Sequence, residues 1–134
     1  MHSSISIPEG GVFVTETGTE RLQLLGRTET SSFLVGPQGG AGTGPNSFEL
    51  LSSALGACTC TTVRIYADRK AIPLERVSVT ISFDGERFKR MLILEGALDE
   101  GQRAQLLDIS DMCPVARILG KGTSITTVLA ASGE

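Results

Sequence analysis

No charged residue interrupts the chain from Leu50 to Val63, and no other part of the sequence restricts the fold as much. The run suits a buried core helix and falls short of the ~20 apolar residues a bilayer span requires. Just before it, Asn46-Ser47-Phe48-Glu49 sets an N-cap residue with an acidic group three positions on, a capping-box-like start. Good helix formers continue to Lys70, and Ile72-Pro73 stops the run. The pattern predicts one helix over 46–70, roughly 35 Å long at ~1.5 Å per residue. Its first half is apolar on almost every side, through Leu50, Leu51, Ala54, Leu55 and Ala57. Such a helix must be buried around most of its circumference. One short sheet has a single face to offer, so a second sheet or a second subunit must cover the rest. The last turns carry Arg64, Asp68, Arg69 and Lys70, which reach solvent, and the basic end suits the helix dipole.

Short β-prone runs precede this helix: Val12–Thr15, Arg21–Leu25 and Ser31–Val35, separated by glycines and polar breaks. They read as an antiparallel meander. The segment GPQGGAGTGP that follows lacks the Lys-Ser/Thr of a phosphate-binding loop and does not fit GxGxxG, so it reads as a connector with positive-φ positions. After the helix, Val77, Val79, Ile81 and Phe83 alternate with polar residues, Asp84-Gly85 marks a hairpin turn, and Phe88–Glu95 returns. Asp99 and Gln102 cap a second helix carrying Leu106, Leu107 and Ile109. Pro114 suits a first helical position, which makes Cys113 the N-cap of a short helix ending at Gly120. Ser124–Leu129 reads as a final strand. The order is that of an α+β fold in a single domain over residues 1–134, with residues 1–10 poorly ordered or forming a dimer arm.

Composition removes most chemistry. Among 134 residues there is one histidine, His2 near the chain end, so a triad built on an oriented imidazole has no candidate. A zinc site would need three cysteines plus carboxylates, an uncommon ligand set, and no metal or cofactor is expected. A net charge of −3, no Trp and one Tyr give neither the electrostatics nor the stacking surface for nucleic acid. The opening MHSSISIPEGG has no cationic start followed by an apolar core, so no secretory signal is read. Three cysteines in that setting imply reduced thiols, a cytoplasmic location and no membrane partner.

Sulfur is the chemistry left. Cys58 and Cys60 lie about 200° apart on the predicted helix, so they can neither bridge nor chelate together there. Cys58 shares its face with Leu51, Leu55 and Thr62; Cys60 shares its face with Ser53, Gly56 and Arg64. Each is also an ordinary small core side chain on this reading. Cys113 sits at a helix start, where free N–H groups favour a thiolate. By local charge alone Cys60, beside Arg64, outranks Cys58. Helix geometry does not choose a pair among the three.

The stretch from Gly44 through Leu51, then Leu55-Gly56-Ala57-Cys58-Thr59 and Val63–Lys70, resembles the OsmC/Ohr family, closest to its OsmC-like (YhfA-type) branch. Leu98–Arg103 followed by Asp111-Met112-Cys113-Pro114-Val115-Ala116-Arg117 looks like that family's second cysteine motif. The resemblance implies an OsmC-like fold in an intertwined homodimer, its two central helices sandwiched between sheets. It also implies a thiol-dependent peroxidase acting on organic hydroperoxides, with Cys58 as the peroxidatic thiol and Cys113 as the resolving one. An external dithiol, lipoyl-type or thioredoxin-like, would reduce the resulting disulfide. Dimers that only bind a small ligand, or that signal through the disulfide, are the alternatives.

The sequence departs from the peroxidase pattern at three places. Peroxidase members carry a Glu ten residues before the first cysteine, where it orients an N-terminal Arg onto the thiolate. Here that position is Phe48, and Glu49 follows one step later, as a site residue or as a helix cap. Arg21 is the expected activating cation, with Arg27 the other choice. Ala116 stands where the branch often has His. Cys60 is outside the family pattern and is expected to be structural.

Overall fold

A computed structural model describes residues 6–37 and 44–131. Most of the glycine-rich connector and the first half of the expected N-terminal arm lie outside the described residues. The described residues up to Leu50, together with Thr126 onward, form one compact unit, and Leu51–Ile125 form a second.

The first unit is a meander of three antiparallel strands, β1 (Phe13–Glu16), β2 (Leu24–Arg27) and β3 (Ser32–Val35), in the order β1-β2-β3. β2 starts later than the apolar run Arg21–Leu25 suggests. Leu22 takes a left-handed φ of 66° and Gln23 N–H closes a turn on the Glu20 carbonyl at 3.2 Å, so Arg21 and Leu22 belong to the turn. β2 also runs through Gly26, which sequence punctuation would have made its end. Gly26 pairs with Phe33, whose ring lies where a Cβ would stand. Absence of a side chain lets the ring lie flat on the neighbouring strand.

The long helix, α1, spans Ser47–Arg69. Its start is the expected capping box: Glu49 N–H donates to Asn46 Oδ1 at 2.8 Å and Asn46 N–H donates to Glu49 Oε1 at 2.9 Å. Its end is a Schellman motif: Ile72 N–H reaches the Ala67 carbonyl at 2.9 Å and Ala71 N–H the Asp68 carbonyl at 3.3 Å. That motif forces Ala71 to φ 57°, a conformation that favours glycine.

In the second unit, β4 (Leu74–Phe83) and β5 (Phe88–Gly96) form an antiparallel hairpin. Its turn is held by Asp84, whose Oδ1 accepts from the N–H groups of Glu86 and Arg87 at 2.9 Å each. Those Arg87 and Glu86 bonds hold the exposed Asp84 carboxyl below its ordinary pKa. α2 (Glu100–Ile109) begins with the Asp99–Gln102 capping box; a 3₁₀ turn at Ser110–Met112 and α3 (Pro114–Lys121) follow, with Cys113 as N-cap. α1 lays the stripe Leu55, Thr59, Val63, Ala67 inward at four-residue spacing. Val63, Ala67, Ile72, Leu74 and Leu106 form the buried core, with Tyr66, Val77, Leu92, Leu94, Leu98 and Ile109 packed against it. Gly56 faces β4, where a Cβ would make ordinary contacts with Ile81 and Val79 at 3.5 and 3.6 Å.

The expected final strand at Ser124–Leu129 does not form. Among the described residues the segment joins neither sheet. Its apolar side chains lie open: Ile125, Val128 and Leu129 are 88%, 82% and 98% exposed.

Two substitutions test this account. Leu106→Ala, at a fully buried position, is expected to cost about 2–5 kcal/mol in urea unfolding. Ala71→Gly is expected to stabilise the chain by about 1 kcal/mol, because it relieves the left-handed residue at the end of α1.

Candidate functional site

Cys58 projects from the middle of α1 on the face it shares with Thr62, and Cys113 opens α3. The second unit brings them together, and the two thiols share a side-chain hydrogen bond. Pro114 occupies the first position of α3, so its missing N–H is one the helix would leave unpaired anyway. The next N–H groups, of Val115 and Ala116, face the sulfurs. Both N–H groups favour the charged form of Cys113, and Val115 N–H favours that of Cys58 too, although the Cys113 side chain closes no capping hydrogen bond. A helix N-terminus thus points its free donors at a sulfur pair. All three cysteines are free thiols, and Cys113 is fully buried while Cys58 is partly open.

The two thiols are driven in opposite directions. Burial pushes Cys58 up, and its hydrogen bond to Cys113 and the charge there push it further, against smaller contributions from Val115 N–H and Thr62. Burial also acts to raise Cys113. The donors around it, the Cys58 thiol, Ala116 N–H, the Thr59 hydroxyl and Val115 N–H, outweigh that and hold Cys113 below the ordinary thiol range. Cys113 is thus the more acidic of the two thiols, and Cys58 the one that keeps its proton longer.

Behind the pair lies a polar group that the sequence reading did not single out. Arg90 stands on β5 in the inward row with Phe88, Leu92 and Leu94, and its side chain is only 17% exposed. Its Nη1 donates to Thr59 Oγ1 and to the Ser110 carbonyl, both at 3.0 Å, and its Nη2 pairs with Asp111 at 3.0 Å. Thr59 is fully buried and also donates to the Leu55 carbonyl at 2.7 Å. A charged residue in an inward position of an alternating strand was the available signal.

The other residues singled out from the sequence have separate roles. Cys60 turns toward β4, with its thiol 3.9 Å from the Val77 carbonyl, and burial pushes it up. The nearby Arg64 is taken by the carbonyls of Leu74 and Glu75 at 2.8 and 3.3 Å and by Asp68 at 3.5 Å. Glu49 closes the capping box of α1. Arg21 lies exposed in the turn before β2, and Arg27 stacks 5.6 Å over the Phe13 ring. Glu49, Arg21 and Arg27 all belong to the first unit.

A cleft of about 420 Å³ is walled by Leu55, Phe88, Ala116, Leu119 and Gly120, with Glu86, Arg87 and Arg90 as its charges; neither thiol is in its lining. Three of its walls touch the site directly: Leu55 accepts from Thr59, Arg90 holds Thr59, and Ala116 N–H faces Cys113. Among the described residues no group of three metal-ligating side chains occurs, and no helix is long and apolar enough to cross a membrane.

The family model for OsmC-like protein matches residues 39–128. The chain belongs to the OsmC-like family. Solved structures agree on the fold. An OsmC-like protein from Mycoplasma pneumoniae is 16% identical, with 81% of this chain and 85% of that one covered and a TM-score of 0.67. The organic hydroperoxide resistance protein OhrB of Bacillus subtilis is also 16% identical, over 79% and 86% of the two chains, with a TM-score of 0.57. The organic hydroperoxide resistance protein OsmC of Legionella pneumophila is 21% identical over 81% and 88%, with a TM-score of 0.51. No curated protein matches by sequence. In this OsmC-like chain the α+β architecture is two antiparallel sheets and three helices among the described residues.

The coupling of the two thiols has a measurable sign. As pH rises, Cys113 loses its proton first, and the charge then holds the Cys58 proton against removal. Thiolate absorbance at 240 nm in a Cys60→Ser protein is expected to rise in two steps, one below and one above the ordinary thiol value of 9.0. A single two-thiol step at 9.0 would contradict the arrangement.

Proposed function

We propose that this chain is a thiol-dependent peroxidase that reduces organic hydroperoxides to alcohols. The observation that carries the reading is the hydrogen-bonded pair of Cys58 and Cys113 at the start of α3. The proteins of Bacillus subtilis and Legionella pneumophila described as organic hydroperoxide resistance proteins support the substrate class.

Cys58 is the attacking thiol, because it is the one partly open to an incoming molecule. It needs to be a thiolate to act; Cys113, the more acidic of the pair, accepts its proton only in step with the attack, as a general base. The Cys58 sulfur attacks the distal peroxide oxygen and the O–O bond breaks. The departing alkoxide takes the proton back from Cys113, giving an alcohol and a Cys58 sulfenic acid. Cys113, again a thiolate, attacks the sulfenic sulfur; the S–S bond forms and hydroxide leaves, protonated to water. An external dithiol, lipoyl-type or thioredoxin-like, then reduces the Cys58–Cys113 disulfide and is itself oxidised to a disulfide. The apolar walls Leu55, Phe88 and Leu119 of the cleft suit an alkyl hydroperoxide better than hydrogen peroxide.

The working form in this proposal is a homodimer of a single 1–134 domain. Leu51 and Ile65 on α1, Met91 and Ile93 on β5, and the 125–129 tail are apolar and exposed in one chain. A second copy covers them, and the tail then finds the strand partner it lacks. A pair that must be reduced at every turnover suits the cytoplasm. Glu49, held by its capping box, favours a second reading in which the dimer binds a ligand or senses redox state without turnover.

Consumption of cumene hydroperoxide with dihydrolipoamide tests the proposal. Cys58→Ser is expected to lose activity at least about 100-fold, and Cys113→Ser to reduce one equivalent and then stop. Cys60→Ser is expected to keep the parent rate. Full activity in Cys58→Ser would sink the assignment, and one equivalent consumed by the parent without turnover would favour the second reading. Sedimentation at the mass of one chain would refute the dimer.

A further inference from the structure

We propose that Arg90 is a positioning residue for the thiol pair: its guanidinium aims the Thr59 hydroxyl at Cys113 and fixes the turn that delivers Cys113 to Cys58. The argument starts from what a hydroxyl can do. Thr59 Oγ1 has one hydrogen to give and two lone pairs to offer. Arg90 Nη1 occupies one lone pair at 3.0 Å, and a guanidinium has no lone pair with which to accept the Thr59 hydrogen. That hydrogen therefore has two destinations in the buried site, the Leu55 carbonyl at 2.7 Å and the Cys113 sulfur. With a neutral Cys113 the carbonyl is the better acceptor. With a thiolate there, rotation of one hydroxyl gives the charge a donor, and the positive group behind the oxygen makes that donor stronger.

The same guanidinium acts on the backbone. The Ser110 carbonyl accepts from Arg90 Nη1 at 3.0 Å and from Cys113 N–H at 3.2 Å, so strand β5 grips the carbonyl to which Cys113 itself is tied. Asp111 takes Nη2 on the open side, where its carboxylate is 79% exposed. The groups facing Cys113 are then Cys58 and Thr59 from α1 and Val115 and Ala116 N–H from α3, with Arg90 of β5 behind the Thr59 hydroxyl. Asp111 touches only the outer edge of the guanidinium, and Arg117, the next charge along α3, is exposed. Arg90 is the single buried cation among the described residues of this group, and it reaches the sulfur through one hydroxyl.

The inference rests on the thiol pair proposed above, yet its test needs no peroxide, so the two can fail separately. In a Cys58→Ser, Cys60→Ser protein only Cys113 contributes thiolate absorbance at 240 nm. Thr59→Val in that background removes the hydroxyl and keeps the grip of Arg90 on Ser110 and Asp111. It is expected to move the Cys113 titration upward by about one pH unit, a tenfold loss of thiolate at a given pH. Arg90→Met is expected to move it at least as far, and Arg90→Lys, which keeps the charge, to return at least half of the shift. Arg90→Met added to Thr59→Val is expected to add less than it does alone, because both act through the same oxygen. An unchanged titration in a folded Thr59→Val protein would overturn the relay, and circular dichroism identifies the folded variants. If Arg90→Met does not fold, Thr59→Val decides the question. A titration that moves with Arg90→Met and stays put with Thr59→Val would also overturn it, since the effect would then bypass the hydroxyl.

Discussion

The hydroxyl of Thr59 lies fully buried in the apolar stripe of α1, between Leu55 and Val63. Left without partners it would cost on the order of 1–3 kcal/mol, and the site is built around satisfying it. The Leu55 carbonyl takes its proton, and Arg90 reaches it from the hairpin. Arg90 is in turn a charge on the inward face of a strand, and a guanidinium there demands more acceptors than one hydroxyl. The Ser110 carbonyl supplies one; at the end of α2 it belongs to the turn in which helical carbonyls run out of intrahelical donors. Asp111 supplies the other. The middle of one helix, a strand and the end of a second helix thus satisfy one another. Cys113 follows three residues after Ser110, so the closure of these polar groups also sets where the second thiol stands.

Local chemistry was legible wherever it decides the structure by itself. The Asn46–Glu49 and Asp99–Gln102 boxes, the Asp84-Gly85 turn and Pro114 at the head of α3 each stand where the residues put them. Reading failed where a distant partner decides. β2 begins at Leu24 because Leu22 joins a turn, and it continues through Gly26 because Phe33 covers it from the next strand. Ala71 takes a left-handed conformation that an alanine does not announce, and the Schellman bonds to Ala67 and Asp68 impose it. The 124–129 segment has every local mark of a strand and no strand beside it. In the site, helix geometry separated Cys58 from Cys60, while the neighbourhood of Cys58 and Cys113 depends on a chain reversal no periodicity reports. Arg90 was overlooked because an alternating strand draws the eye to its apolar residues.

The charge pattern around the sulfurs also answers a question that local sequence poses wrongly. By proximity in sequence, Arg64 should serve Cys60. Arg64 instead spends its donors on the carbonyls that start β4, and Cys60 lies against Val77 in a setting that only raises its pKa. The favourable donors, two helix N–H groups and a polarised hydroxyl, converge on Cys113. Neutral dipoles held in a buried place stabilise a thiolate without bringing a full opposite charge into contact with it, and so without locking it into an ion pair. Such a thiolate remains free to take a proton from its neighbour.

The helix that dominates the sequence brings a demand that one chain leaves open. Only the stripe Leu55, Thr59, Val63, Ala67 is buried, although Leu51, one turn before it, and Ile65, on another face, are apolar and exposed. The hairpin repeats the pattern, with Leu92 and Leu94 turned inward while Met91 and Ile93 face out. Apolar surface on both sides of a two-stranded hairpin is unstable in isolation, since such a hairpin gains its stability from what packs on it. The uncharged run Leu50–Val63 within α1 offers more apolar surface than the core of one subunit takes up. In the proposed homodimer the same surfaces become interior, so on that proposal the helix that carries Cys58 owes part of its burial to the second copy.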